Sequence, residues 1–231
     1  MQLDGARALV CGATGVLGGQ IARELVDAGA TVMAAGRDSD RLAAIASTCG
    51  TAPLTFDVID ADSCKRTVDQ AVTAVGGLDL LVVATGVAAF GPATEADAAV
   101  VEELFAVNAL GPMSLIRAAA PHLPQGGAVA VLSAVLADLP TAGMAEYSAS
   151  KSALAAWLEV LRRENRRSFR VLDIRPPHLD TGLADRALAG HPPKLPSGFP
   201  IGELVAAIIK AIRGDAREIV YDYTAKSLET R

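Results

Sequence analysis

Tyr147 and Lys151 stand four residues apart in the run Tyr147-Ser148-Ala149-Ser150-Lys151, inside a segment whose pattern is helical. At that spacing both side chains share one face, one turn apart. A free phenol has a pKa of about 10 and moves protons poorly at neutral pH. A cation held beside it favours the phenolate, so such a pair can give a proton to a carbonyl or take one from an alcohol. The same spacing also arises by chance as an ordinary exposed pair, so the chemistry depends on what else the chain supplies.

A second constellation lies near the N-terminus. Residues 6–11 form an apolar run suited to a buried strand, which leads into Gly12-Ala13-Thr14-Gly15-Val16-Leu17-Gly18-Gly19 and then a helical pattern through Ile21, Leu25 and Val26. Strand, glycine turn and helix in that order are what a dinucleotide fingerprint requires. The glycines let the backbone turn tightly and approach a pyrophosphate, whose charge meets the N–H groups at the positive end of the helix. Gly12, Thr14, Gly15, Val16, Leu17 and Gly18 are therefore candidate cofactor contacts.

The elements that must position these groups alternate along the chain. Apolar runs suit strands near 6–11, 31–35, 52–56, 78–84, 127–132, 169–174 and 217–221, and helical patterns fall near 16–28, 39–48, 61–75, 97–121, 145–165 and 201–213. Strands apolar on both faces call for a parallel sheet covered by helices on each side. The expectation is one α/β domain over 1–231, a doubly wound sheet of about seven strands with ligands beyond their carboxyl ends. The proline-bearing stretch 182–200 is the longest irregular segment and a candidate mobile lid.

Composition narrows the function classes. The 231 residues are 51% hydrophobic with a net charge of −5, which gives no reason to expect a nucleic-acid partner. No run of about eighteen uninterrupted apolar residues predicts a membrane span, and Met1-Gln2-Leu3-Asp4-Gly5 lacks the basic start of a secretory signal. Cys11, Cys49 and Cys64 are odd in number and unclustered, so a reducing cytoplasm is expected and neither a disulfide framework nor a zinc site.

With Tyr147 and Lys151 downstream of the glycine turn, the chain resembles the short-chain dehydrogenase/reductase family over nearly its whole length. The matches fall in the family's order: the glycine turn, Asp57-Val58 after the third strand, Asn108 in Val107-Asn108-Ala109-Leu110-Gly111, a serine ending the fifth strand, Tyr147 with Lys151, and Ile174-Arg175-Pro176-Pro177 leading to Thr181. The resemblance implies a Rossmann fold and hydride transfer at a nicotinamide, with Tyr147 as acid/base. Lys151 would lower the pKa of Tyr147 and hold the nicotinamide ribose. Asn108 would anchor a water linked to Lys151, Thr181 would contact the carboxamide beside Pro176, and Asp57 and Val58 would border the adenine. Ala84, Thr85 and Gly86 would line the same cofactor site. The stretch 182–200 matches the family's substrate-binding region.

Cofactor choice is read at the end of the second strand. Gly36 stands where an NAD-preferring relative would carry an acid for the ribose hydroxyls, and Arg37 follows at once. A planar guanidinium suits a 2′-phosphate, so NADP is expected over NAD; the alternative is an Arg37 paired with Asp38 or Asp40.

Three departures from the family bear on mechanism. Counting back from Tyr147 puts Ala134 where the catalytic serine belongs, with Ser133 one residue early. In a strand that shift turns the side chain to the other face, unless a bulge brings it back, so Ser133 either serves substrate or bonds its own backbone. Val83-Ala84-Thr85-Gly86 replaces the usual asparagine-rich turn, and Pro177 beside His178 replaces a common glycine. The reading is an NADP-dependent oxidoreductase for a small ketone, aldehyde or alcohol. The alternative is a catalytically weak NADP-binding sensor or structural protein, with a lyase or epimerase as a third. Helices 97–121 and 145–165 are apolar on more than one face, and in relatives they form the dimer contact, so a homodimer or homotetramer is expected.

Overall fold

The computed structural model describes residues 1–231. Seven strands, β1 (Arg7–Cys11), β2 (Thr31–Gly36), β3 (Leu54–Thr55), β4 (Leu80–Val83), β5 (Gly127–Leu132), β6 (Phe169–Arg175) and β7 (Glu218–Asp222), pair in parallel. An eighth, β8 (Ser227–Thr230), runs antiparallel along the outer edge of β7. Their order is β3-β2-β1-β4-β5-β6-β7-β8. The chain builds outward from β1 in one direction and then returns to add β4 on its other side. At that reversal the connections diverge and leave a crevice at the carboxyl ends of β1 and β4.

Alternation along the strands feeds two cores. In β1, Leu9 and Cys11 face the layer of α3 (Ala61–Val75), α4 (Ala98–Phe105), α5 (Gly111–Ala119) and α6 (Ala145–Glu164). Ala8 and Val10 face α1 (Val16–Asp27), α2 (Ser39–Cys49) and α7 (Ile201–Arg213). In β5, Val129 and Val131 go to the first core, and Ala128, Ala130 and Leu132 to the second. A strand buried on both faces reads as a continuous apolar run, and this is why each was visible in the sequence.

Two elements differ from expectation. The segment 97–121 is not one regular helix: a π-helical turn, Ala106–Leu110, joins α4 to α5 and holds Asn108 at its centre. Asn108 is fully buried and bonds outside its own helix, and a widened turn of this kind commonly marks a functional position. The strand β8 was not expected. The Asp222 carboxylate accepts from the N–H groups of Thr224 and Ala225, Lys226 takes φ 52°, and the tail folds back onto β7. The stretch Ala98–His122 is long and apolar enough by composition to cross a membrane, yet Leu104, Leu115 and Ile116 within it are fully buried in the core.

Segment 182–200 contains one short 3-10 turn, Ala184–Arg186, and is tied at both ends. Leu188 N–H donates to Ala88 and Phe90 N–H donates to Ala189, while Phe199 N–H donates to His178. Only its middle lacks such ties.

Candidate active site

A cavity of about 240 Å³ opens at the carboxyl ends of β1, β4, β5 and β6. The start of α1 forms one wall with Gly15, Val16, Leu17 and Gly18, and Ala84, Thr85 and Gly86 form the base. Leu132, Ser133 and Ala134 end β5 on the far side, where α6 presents Tyr147 and Lys151. Pro176, Pro177, His178 and Thr181 follow β6 around the rim, and Phe90, Leu136, Met144, Leu183 and Leu195 make the outer part apolar.

The glycines of the first turn have separate reasons. Gly12 takes φ 87°, and a Cβ there would lie 2.7 Å from the Ala84 backbone; a Cβ on Gly18 would lie 2.3 Å from the Gly12 carbonyl oxygen. These two let β1, α1 and β4 approach each other. Gly15 is less crowded, since its Cβ would meet only the Gly12 oxygen at 3.3 Å. It caps α1 with no side-chain hydrogen bond, and no acid sits in the first turn. The first N–H groups of the helix therefore lie beside the cavity without side-chain partners. The buried hydroxyl of Thr85 on the cavity base also has no partner in the protein. An uncapped helix start, a bare glycine and an orphaned hydroxyl around one cleft fit a dinucleotide.

On α6 the Lys151 ammonium stands 6.0 Å from the centroid of the Tyr147 ring and donates to the Leu132 carbonyl at 3.2 Å. The expectation that this cation lowers the phenol pKa is corrected here. Burial pushes Tyr147 up to about 12 and pushes Lys151 down to about 8, with Asp173 opposing the latter. Loss of water outweighs a cation aimed at a carbonyl rather than at the phenol oxygen. Both groups hold their protons at neutral pH.

Asn108 accepts from Val87 N–H at 3.0 Å and donates to the Val87 carbonyl and to Ser150 Oγ, which donates to the Tyr147 carbonyl. It thus ties the loop after β4 to the catalytic helix. Its remaining oxygen lone pair and Lys151 Nζ both border Gly86, at 3.4 and 3.5 Å from where a Cβ would stand.

Ser133 lies on the cavity wall, but its hydroxyl is committed elsewhere. It donates to the fully buried carboxylate of Asp173, which also accepts from Arg175 Nε at 2.7 Å. Ser133, expected either to serve substrate in place of the serine missing at Ala134 or to bond its own backbone, does neither with its proton: its hydroxyl donates to the buried Asp173 carboxylate on the neighbouring strand. Ser133 has only lone pairs left for a ligand.

At the cofactor end, a Cβ on Gly36 would lie 2.7 Å from Thr14 Cγ2, so a side chain there would have to displace the Thr14 side chain. Arg37 is exposed and enters no ion pair; Asp38 instead caps α2 through the Arg41 N–H. Asp57 is exposed and its carboxylate accepts from Ile59 N–H, whereas Val58 is buried against Gly111. Gly12, Thr14, Arg37, Asp57, Val58 and Asn108 lie outside the cavity lining. At the rim, His178 Nε2 is 3.1 Å from an Asp180 oxygen.

The short chain dehydrogenase family model matches this chain over residues 6–191. The chain belongs to that family. Family members carry out NAD(P)-dependent oxidation and reduction of small molecules. The cyclic-di-GMP-binding biofilm dispersal mediator protein of Escherichia coli K12 is 33% identical, covering 77% of this chain and 74% of that protein. A short chain dehydrogenase from Burkholderia cenocepacia, solved with NADP, is 27% identical with a TM-score of 0.81 and 92% of each chain covered. A Burkholderia phymatum member solved with NAD superposes with a TM-score of 0.87 at 22% identity, covering 95% of this chain and 90% of that one, which shows the shared fold.

Several residues of the site escaped the sequence reading. Phe90, Leu136 and Met144 come from stretches outside the regular strands and helices, whose directions only the folded chain sets. Asp173 had a signal: an acid within the apolar run Val171-Leu172-Asp173-Ile174 of a strand buried on both faces.

Proposed function

We propose that this short-chain dehydrogenase is an NADPH-dependent reductase of small, largely apolar ketones or aldehydes. The observation that carries this reading is that Tyr147 and Lys151 share one cavity with the uncapped start of α1. Bound there, the nicotinamide supplies the hydride and the protein supplies everything else. The first-turn N–H groups of α1 and Thr85 hold the dinucleotide, with Gly15 allowing close approach. Thr181 and Pro176 fix the ring end from the rim, and Lys151 binds the ribose. Tyr147, protonated at neutral pH, gives its proton to the carbonyl oxygen as the alkoxide forms, and Lys151 with Asn108 and a water restores it. Apolar side chains from the loop 88–90, from 136 and from the segment 182–200 exclude water and seat the substrate. Preference for NADP is supported by Thr14 filling the space at Gly36 and by the unpaired Arg37. Free cysteines suit a reducing cytoplasm.

Ala134 supports a second reading, in which the chain binds NADP and turns over little. No hydroxyl donor faces the substrate oxygen from β5, and the E. coli relative is named for binding rather than turnover. The two readings separate by incubating the protein with NADPH and a panel of ketones and following absorbance at the nicotinamide band. The reductase reading expects turnover that falls by about 10²- to 10⁴-fold in Tyr147→Phe while NADPH binding persists. Tight NADPH binding with no turnover on any ketone replaces it with the second.

A further inference from the structure

Asp173 is a fully buried carboxylate in the middle of β6, facing the catalytic side of the sheet. It accepts from Ser133 Oγ and from Arg175, whose guanidinium continues to Asp138 at 2.8 Å and to Glu218 at 3.2 Å. Ser133 N–H donates across to the Ile174 carbonyl, so the end of β5 is fixed to β6 at both backbone and side chain. The residue before it, Leu132, carries the carbonyl to which Lys151 donates. A buried ion pair is a poor source of stability, since an apolar pair of similar volume commonly does as well. A charge retained beneath the active site invites a different role.

We propose that Asp173 is a positioning residue of the active site: through Ser133 it fixes the β5 end on which Lys151 rests, and from beneath that end its charge, paired with Arg175, favours the Lys151 ammonium. The proposal rests on the reductase reading only for its kinetic consequence. Around Lys151 stand Tyr147 on its own helix, Asn108 from the π-helical turn, Thr85 and Gly86 from the loop after β4, and the Leu132–Ser133 end of β5. None of these is ionised at neutral pH. The ionised group acting on Lys151 is Asp173 from β6, and Arg175 behind it tempers that charge. The chain places a carboxylate there and leaves Ala134 without a hydroxyl, so Ser133 serves the lysine and not the substrate.

The test labels the ε-carbons of the five lysines and follows their NMR titration, with the Lys151 signal identified by its loss in Lys151→Met. In Asp173→Asn the Lys151 midpoint is expected to fall by roughly one pH unit or more. Arg175→Gln, which frees the Asp173 charge, is expected to move it upward, and this second variant carries the test if the first does not fold. Ser133→Ala, which keeps the charge but releases the β5 end from Asp173, is expected to move the midpoint less than Asp173→Asn does. A midpoint unmoved in both charge variants overturns the proposal, whether or not the enzyme turns over. If the protein reduces a ketone, the alkaline fall of kcat moves with the NMR midpoint in each variant. Absence of turnover with a shifted midpoint strikes only the reductase reading.

Discussion

Lys151 carries an ammonium into a buried site, and that charge has a cost the fold must bear. The folded protein releases the Lys151 proton near pH 8, whereas an unfolded chain holds it to about its ordinary 10.5. Between those values the unfolded chain binds more protons, so raising the pH through this window stabilises the fold. Below pH 8 the full penalty is present, about 3 kcal/mol. Lys151→Met is therefore expected to be inactive yet more stable than the parent at pH 7, with the gap narrowing toward pH 10. Tyr147, shifted the other way, acts only above pH 10. Thermal melts of both proteins across pH 7–10 check this, and a gap independent of pH contradicts it. Arg37 is the other residue whose state decides something. Arg37→Ala should raise the KM for NADPH on the order of tenfold to a hundredfold while leaving that for NADH within about twofold, as loss of a charge-assisted contact to a 2′-phosphate requires. Equal losses for both cofactors would place Arg37 elsewhere.

The turn from β1 into α1 shows how one element separates packing from binding. A Cβ at Gly18 would stand 2.3 Å from the Gly12 carbonyl oxygen, a backbone atom that can move only if the strand and helix part. At Gly15 the same carbonyl lies 3.3 Å away, and the added methyl would project where a pyrophosphate approaches. Gly18→Ala is expected to lower the melting temperature by several degrees and weaken NADPH binding with it. Gly15→Ala is expected to melt within about two degrees of the parent and still lose roughly tenfold or more in NADPH affinity. Equal melting temperatures for the two would show the packing argument to be wrong. The same separation explains what was legible in this element. Glycines between an apolar run and a helical pattern announce the motif, but only their surroundings say which of them meets protein and which meets ligand. The π-helical turn at Asn108 was hidden for a related reason: its sequence, Ala106-Val107-Asn108-Ala109-Leu110, is apolar enough to continue a helix. The widening comes with the backbone of Val87, which is distant in sequence.

Across the whole molecule, the apolar excess read in helices 97–121 and 145–165 remains at the surface. Leu110 and Val160 are 58% and 51% exposed, while Met113, Trp157 and Leu161 are half-buried beside the core. An apolar face of this kind fits a second copy, and β8 covers the outer edge of β7. A homodimer or homotetramer with a contact through α5 and α6 is the expected assembly. Val160→Asp with Leu110→Asp should convert it to a smaller species in light scattering, with the melting transition retained; an unchanged assembly would move the interface to another face.

By itself the sequence determined the layers and the chemistry. Strands buried on both sides must be apolar throughout, so alternating runs specified a parallel sheet. A glycine turn between strand and helix, and a phenol one turn from an ammonium, are local patterns that need no knowledge of the rest of the chain. Tertiary structure decided what those groups experience. The direction of the Tyr147 shift depends on how deeply the fold buries the phenol, and the commitment of Ser133 depends on Asp173, forty residues away on a neighbouring strand. Burial and long-range pairing are properties of the folded arrangement, set by which surfaces meet, and no local spacing encodes them.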